Sequence, residues 1–121
     1  MPRELAWLAE VESSFDPLAK SPVGALGLYQ FMPSTAERFG LSLKPKDQRT
    51  VPEHSATAAA KYLKFLHGRF GSWPLALAAY NAGEGRVDQW LSDSGKQGGK
   101  IVDPDEIPFP ETREYVKNVL N

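Results

Sequence analysis

Apolar residues recur along most of the chain at the three- and four-residue spacing of amphipathic helices. Near the amino terminus, this spacing places Leu5, Leu8 and Glu12 on one face of a helix over residues 3–12. Pro17 then forces a break, because proline disfavours a helical residue before it. The chain is therefore predicted to begin with a short helix that carries a carboxylate on its apolar stripe.

Proline and glycine divide the rest of the chain into further helices. The longest is predicted from Pro52 to Phe70, where Gly71 ends an apolar stripe. Ser72 is predicted to be the N-cap of the next helix, because its hydroxyl can accept a backbone N–H of the first turn. The shorter helices are predicted over residues 33–39, 73–82, 85–91 and 110–120.

Two stretches lack the helical pattern. Residues 21–32 contain Gly24 and Gly27 among small and apolar residues, which predicts a compact loop or a short hairpin. Residues 92–105 are polar and rich in glycine, which predicts a flexible loop. Strand signals are weak elsewhere. We therefore predict a mainly α fold, with one domain over residues 1–121, about six helices and at most a minor β-hairpin.

Composition excludes several classes of function. The 14 basic and 15 acidic residues give a net charge of −1, which argues against a nucleic-acid partner. The absence of cysteine excludes disulfides, cysteine zinc sites and thiol nucleophiles. No apolar run reaches the roughly 20 residues of a membrane span. No signal peptide precedes the first helix, so the protein is expected to be cytoplasmic or the chain to be a trimmed domain.

Glu12 is the first candidate for chemistry. A carboxylate on an apolar stripe is costly to bury in its charged form, and the dipole at a helix carboxyl end also disfavours negative charge. Both effects predict a raised pKa for Glu12, which suits a general acid. The alternative interpretation is a glutamate at a frayed helix end that reaches into solvent.

Two other segments combine polar side chains with aromatic residues. Residues 27–35 and 79–85 contain amide, hydroxyl and aromatic groups of the kind that hydrogen-bond and stack on sugars. The alternative interpretation is a helix cap with core packing. His54 and His67 lack the spacing of metal ligands, so no metal site is expected. The Lys and Arg residues between 38 and 69 are interpreted as a solvated face, and contact with the acidic peptide stems of a substrate is the alternative.

Five segments, in the same order along the chain, resemble the motifs of the soluble lytic transglycosylase catalytic domain. The resemblance extends from about residue 3 to residue 120. The segments are Glu12-Ser13-Ser14-Phe15-Asp16-Pro17, Ser21-Pro22-Val23-Gly24-Ala25, Gly27-Leu28-Tyr29-Gln30-Phe31-Met32-Pro33, Ala79-Tyr80-Asn81-Ala82-Gly83-Glu84-Gly85-Arg86-Val87 and Ile107-Pro108-Phe109-Pro110-Glu111-Thr112-Arg113-Glu114-Tyr115-Val116.

The resemblance implies a lysozyme-like fold, and an enzyme that cleaves peptidoglycan between N-acetylmuramic acid and N-acetylglucosamine without a metal or cofactor. It assigns the catalytic acid/base to Glu12. The substrate-binding residues that it implies are Ser21 near the muramoyl residue, Gln30 and Met32 in the glycan cleft, Tyr80 and Asn81 beside the catalytic centre, and Asp105 or Glu106 as an acid in the cleft. The partners implied are glycan strands, the location is the periplasm or cell envelope, and the chain is expected to be a monomer.

The carboxylates after Glu12 bear on the mechanism. Most glycosidases use two carboxylates, yet Asp16 is the only other acid between Glu12 and Pro33, and its Asp-Pro context indicates a turn. The N-acetyl group and C6 hydroxyl of the substrate are then expected to replace the second carboxylate, which leaves a 1,6-anhydromuramoyl end. The alternatives are a hydrolytic muramidase of goose-type lysozyme character and a non-catalytic peptidoglycan-binding module.

Overall fold

The described part of the chain folds mainly into helices. A computed structural model describes residues 3–95 and 103–120, with side chains described from residue 6 onward. These ranges contain six α-helices: α1 (Arg3–Ser13), α2 (Pro33–Arg38), α3 (Pro52–Phe70), α4 (Trp73–Ala82), α5 (Glu84–Ser94) and α6 (Pro110–Leu120). None of the helices in the described ranges is long and apolar enough to cross a membrane. The mainly α prediction is confirmed.

The ends of the central helices follow from serine, proline and glycine. α3 has the predicted bounds, from Pro52 to Phe70. Ser72 caps α4, because its Oγ accepts the backbone N–H of Leu75 at 3.3 Å. Gly83, with a φ of 100°, follows the last residue of α4 and allows the chain to turn there. Local chemistry therefore determines where these helices begin and end.

The predicted 92–105 loop is helical at its start. α5 continues past the predicted end at Leu91 as far as Ser94, and Gly95 follows in the left-handed conformation at φ 67°. Near the other end of that stretch, Pro104–Glu106 forms a turn of 3-10 helix. Residues 96–102 of the predicted flexible loop lie outside the described residues.

The chain divides into two compact units, Met1–Tyr62 and Leu63–Asn121. Each unit has its own buried apolar residues. In the first unit these include Leu8, Ala9, Ala25, Tyr29, Phe31, Ala36, Leu41, Ala58, Ala59 and Tyr62. In the second unit they include Leu63, Leu66, Phe70, Leu75, Leu77, Val87, Ile107, Tyr115, Val116 and Val119. The grouping of both units into one domain stays a prediction.

In the first unit, residues 19–31 form a compact loop between α1 and α2, here called the 19–31 loop. Two isolated antiparallel bridges join Lys20 to Leu26 and Leu26 to Phe31. The Phe31 side chain is buried, and its ring centroid lies 6.4 Å from that of Tyr62 on α3. The predicted compact loop with at most a minor hairpin is confirmed.

In the second unit, α4 is buried over most of its length. Residues 74–79 are all buried, because the sequence Pro-Leu-Ala-Leu-Ala-Ala has no polar position. Its small alanine side chains allow α5 and α6 to pack closely against it. The polar residues Tyr80 and Asn81 come only in the last turn, so the buried helix holds their backbone in a fixed position.

Candidate active site

Glu12 lies in the last turn of α1, as the sequence predicts. Its side chain is half-buried, between the fully buried Leu8 on one turn and the exposed Val11 beside it. The side chain of Leu5, the third member of the predicted stripe, lies outside the described residues. Glu12 therefore lies at the edge of the apolar face of α1 and is partly shielded from water.

The chain turns sharply after Glu12. Ser14 and Phe15 both adopt left-handed backbone conformations, with φ of 53° and 63°, which is uncommon for residues with a side chain. The hydroxyl of Ser13 lies 2.9 Å from the carbonyl oxygen of Leu28 and joins the end of α1 to the 19–31 loop. This bond holds the strained turn, and hence the last turn of α1, in one position.

Asp16 serves as a turn residue. Its Oδ1 accepts the backbone N–H of Leu18 at 2.9 Å, and its carbonyl accepts the N–H of Ala19 at 3.2 Å. The side chain is exposed. The turn predicted from the Asp-Pro pair is confirmed, and one oxygen of this carboxylate accepts a backbone N–H of the turn.

Ser21 stabilises the start of the 19–31 loop. Its Oγ accepts the backbone N–H of Ala25 at 2.9 Å and that of Val23 at 3.3 Å. Two accepted bonds use the lone pairs of a hydroxyl and leave its proton for donation. The half-buried Ser21 can therefore donate to an acceptor oxygen of a ligand.

Gln30 braces the same loop from its other end. Its backbone is left-handed, at φ 52°, and its Nε2 donates to the carbonyl oxygens of Gly27 at 2.8 Å and Ala19 at 3.1 Å. Both amide hydrogens are thus used inside the loop, so Oε1 is the atom that can meet a ligand. Met32 follows at the start of α2, with 41% of its side chain exposed.

Arg49 is a residue of this region that the sequence prediction missed. It was expected on a solvated face, and that prediction is wrong because the side chain is buried at 9% exposure. One guanidinium nitrogen donates to the carbonyl oxygens of Gly24 at 3.0 Å and Phe31 at 2.9 Å. Arg49 therefore joins the middle of the 19–31 loop to its end.

Asp47 neutralises the buried guanidinium of Arg49. The carboxylate accepts hydrogen bonds from two nitrogens of Arg49 in a bidentate arrangement, from Nε to Oδ1 at 3.0 Å and from Nη2 to Oδ2 at 2.7 Å. These hydrogen bonds lower the pKa of Asp47 below its usual value. The pairing satisfies a charge that would otherwise be costly to bury. The Asp47–Arg49 spacing is the signal in the sequence, but it is equally typical of exposed ion pairs.

In the second unit, Tyr80 and Asn81 occupy the last turn of α4. The Tyr80 side chain is half-buried, and Asn81 is exposed. The Oδ1 of Asn81 accepts the hydroxyl of Thr112, on the first turn of α6, at 2.8 Å. Thr112 lies in the closing motif of the predicted resemblance, but its contact with Asn81 was not predicted.

Asp105 and Glu106 share the 3-10 turn before α6, and both are exposed. Asp105 forms an ion pair with Lys117 at 2.5 Å, which lowers the pKa of the carboxyl and raises that of the amine. The segment after this turn is held by Phe109, whose ring packs under the guanidinium of Arg86 at 4.2 Å. Which of the two acids faces a ligand stays open.

The site residues implied by the resemblance thus fall into two groups. Glu12, Ser21, Gln30 and Met32 belong to the first unit, and Tyr80, Asn81, Asp105 and Glu106 belong to the second. Across the described residues, no three His, Cys, Asp or Glu side chains cluster in a way that would hold a metal ion.

Several known proteins that are similar to this chain are named transglycosylases. The family model of the transglycosylase SLT domain matches residues 1–102. The soluble lytic murein transglycosylase of Salmonella typhimurium is 42% identical over 119 residues, 93% of this chain and 18% of that protein. The membrane-bound lytic murein transglycosylase D of Escherichia coli is 42% identical over 123 residues, 99% of this chain and 27% of that protein.

The fold comparison agrees with the sequence comparison. The crystal structure of the 70-kDa soluble lytic transglycosylase of Escherichia coli matches with a TM-score of 0.80 and 40% identity, over 99% of this chain and 21% of that one. This likeness confirms the predicted lysozyme-like fold class. The chain spans about a fifth to a quarter of the length of these relatives. Because the family model matches most of the chain and the fold agrees, the chain belongs to the transglycosylase SLT domain family.

Proposed function

We propose that this chain cleaves the β-1,4 bond between N-acetylmuramic acid and N-acetylglucosamine in bacterial peptidoglycan. Membership of the transglycosylase SLT family supports this function, as do the two relatives named as lytic murein transglycosylases. We further propose that the cleavage is non-hydrolytic and leaves a 1,6-anhydromuramoyl end.

In this proposal Glu12 is the acid/base. Its half-buried position in the last turn of α1 supports the role, because a general acid must be accessible to the substrate and partly shielded from water. Glu12 first protonates the glycosidic oxygen as the bond from C1 of the muramoyl residue breaks. It then takes the proton of the C6 hydroxyl as that oxygen bonds to C1, so the acid is restored and no water is consumed.

The observation that carries the non-hydrolytic route is the engagement of Asp16. Its carboxylate accepts a backbone N–H within its own turn, so it is poorly placed to act as a second catalytic carboxylate. Asp47, another acid of the first unit, is bound by Arg49. The N-acetyl group of the substrate would then support the positive charge that develops at C1.

The test is an analysis of the muropeptides released from purified sacculi in isotope-labelled water. We expect anhydromuramoyl ends without the label. Labelled reducing ends would instead identify a hydrolytic muramidase. Binding to sacculi without release of any muropeptide would identify a non-catalytic binding module. A Glu12→Gln sample prepared in parallel controls for a contaminating enzyme.

We propose that the partners are glycan strands and that the protein acts in the periplasm or cell envelope as a monomer. The location follows from the proposed substrate, which lies outside the cytoplasm. The names of the relatives support an envelope setting, since one is soluble and the other membrane-bound. The proposed chemistry calls for no metal or cofactor, because a protonated carboxyl supplies the acid.

A further inference from the structure

The amide of Asn81 is held in a defined orientation by one hydrogen bond. Its Oδ1 accepts the hydroxyl of Thr112 at 2.8 Å. Thr112 is 3% exposed, so its hydroxyl has little access to water and depends on this bond. If the amide were flipped, an N–H would face that hydroxyl in place of the acceptor oxygen, and the hydroxyl proton would lose its partner.

This orientation determines what Asn81 can offer to a ligand. With Oδ1 bonded to Thr112, the two N–H groups of Nδ2 are the donors that this exposed side chain retains. Within the described residues, Nδ2 has no hydrogen-bond acceptor from the protein. Nδ2 is a pure donor, and among the oxygens of a ligand the one best matched to it is an oxygen that only accepts, such as an amide carbonyl.

Both residues are on rigid elements. Asn81 lies in the last turn of α4, whose preceding residues are buried, and Thr112 lies in the first turn of α6, which packs on α4. The distance between the two side chains is therefore set by helix packing within one unit. Such a second layer of support is what keeps a binding group in a productive position.

We propose that Thr112 is a positioning residue that orients Asn81 as a hydrogen-bond donor to an amide carbonyl oxygen of the glycan substrate. This inference rests on the proposed function. Peptidoglycan offers two classes of amide carbonyl, those in the acetamido groups of the sugars and those in the stem peptides. They share the chemistry that Asn81 selects, and the experiment separates them.

The first experiment compares three variants in muropeptide release. Thr112→Val keeps the volume and removes the hydroxyl, so it frees the Asn81 amide to rotate. We expect KM to rise about tenfold, corresponding to one hydrogen bond of about 1.4 kcal/mol, with a smaller change in kcat. Thr112→Ser keeps the hydroxyl and should return KM to within about twofold of the wild type. Asn81→Asp keeps the acceptor for Thr112 but loses the donors, and should resemble Thr112→Val.

The second experiment identifies the carbonyl. Soluble glycan fragments are titrated into the Glu12→Gln protein, with and without Thr112→Val, so that affinity is measured without turnover. The fragments are native, de-N-acetylated, or stripped of stem peptides. We expect the roughly tenfold effect of Thr112→Val to vanish with the fragment that lacks the relevant carbonyl and to persist with the other.

Several outcomes would overturn the inference. One is a folded Thr112→Val protein with wild-type KM and affinity. Another is a Thr112→Ser protein as impaired as Thr112→Val, which would indicate a packing role. If Thr112→Val does not fold, Asn81→Asp with wild-type affinity would overturn it equally. A wild-type chain that neither binds nor cleaves peptidoglycan would refute the proposed function and this inference together. Normal cleavage by the wild type, with unchanged KM and affinity in Thr112→Val, would refute the inference alone.

Discussion

Glu12, the proposed acid/base, is partly buried and lies at the carboxyl end of a helix. Replacement by Gln keeps the shape but removes the proton. We expect Glu12→Gln to lose a factor of about 10²–10⁴ in muropeptide release, which is the usual contribution of a general acid/base. Folding should be unchanged or slightly more stable, because a neutral amide replaces a carboxyl at the negative end of the helix.

The matched control is Glu10→Gln, an exposed glutamate on the same helix. It should retain the wild-type rate, because a surface carboxylate away from the site has no proton to give the substrate. Circular dichroism and sacculus pelleting would establish that both variants fold and bind. A Glu12→Gln enzyme with more than about a tenth of wild-type activity would show that another group transfers the proton.

The Asp47–Arg49 pair should make stability depend on pH. Its hydrogen bonds lower the pKa of Asp47 from the ordinary 3.8, so the stabilising ionised form is fully present above that value. This stabilisation is lost as the pH falls from 3.8, the ordinary pKa, through the lower pKa that Asp47 has in the folded protein. We expect the urea midpoint of Asp47→Asn to lie below that of the wild type at pH 7, and the gap to narrow at about pH 3. Glu37→Gln, an exposed acid in α2, is the control, and an equal gap at both pH values would contradict the prediction.

Residues with local signals could be predicted from the sequence, and residues with long-range partners could not. Glu12 and Asp16 were placed correctly, because helix period and Asp-Pro turn chemistry act within a few residues. Arg49 and Thr112 bond to residues between 18 and 31 positions away. No local pattern marks such a pair, so a buried arginine was mistaken for a surface one.

At the scale of elements, the 19–31 loop depends on close backbone approach. A Cβ added at Gly27 would lie 2.0 Å from the carbonyl oxygen of Arg49, and the φ of Gly27 is 92°. Gly40 has a similar φ of 95° with nothing within 4 Å of an added Cβ. The variant Gly40→Ala therefore measures the cost of the left-handed backbone without a steric overlap. We expect Gly40→Ala to lose about 1–2 kcal/mol, and Gly27→Ala to lose at least about 1 kcal/mol more because of the steric overlap.

Equilibrium unfolding in urea measures both glycine variants. Because the 19–31 loop carries Ser21 and Gln30, Gly27→Ala should also reduce muropeptide release, whereas Gly40→Ala should leave it near the wild-type rate. Equal unfolding free energies for the two variants would mean that the loop moves aside at no cost.

The cap of α4 provides a second test at this scale. Ser72 is buried and accepts the N–H of Leu75, so Ser72→Ala leaves that donor without its partner. The expected loss is about 1 kcal/mol of unfolding free energy, and Ser72→Thr should recover most of it because threonine is also an N-cap residue. Thermal unfolding of the three proteins measures the effect. A Ser72→Ala protein as stable as the wild type would show that the cap contributes nothing.

Helix positions were predictable because their caps are local, as Ser72 and Gly83 illustrate. The exception is α5, which was predicted to end near Leu91 but continues to Ser94. Its extra turn has the polar sequence Ser-Asp-Ser, which has low helix propensity and is typical of a loop. The actual end of α5 is marked by Gly95, which adopts the left-handed conformation typical of a residue that follows a helix.

For the whole molecule, the absence of cysteine and the lack of a metal-ligating cluster in the described ranges lead to one expectation. Neither EDTA nor a reductant should change the melting temperature by more than about a degree, because stability rests on apolar burial in the two units. Differential scanning calorimetry with and without each reagent measures this. A fall of several degrees in EDTA would reveal a bound metal, and addition of individual divalent ions would then identify it.

The bonds from Arg49 to the 19–31 loop also order events during synthesis. The ribosome makes Glu12, Ser21 and Gln30 well before Arg49, which then reaches back 25 residues to Gly24 and 18 residues to Phe31. Closing such long connections costs chain entropy, which the hydrogen bonds of Arg49 help to offset. A nascent or truncated chain that stops before Asp47 therefore carries Glu12, Ser21 and Gln30 without the Arg49 bonds to the 19–31 loop. An emerging chain can form those bonds only after its residues 47–50 have left the exit tunnel.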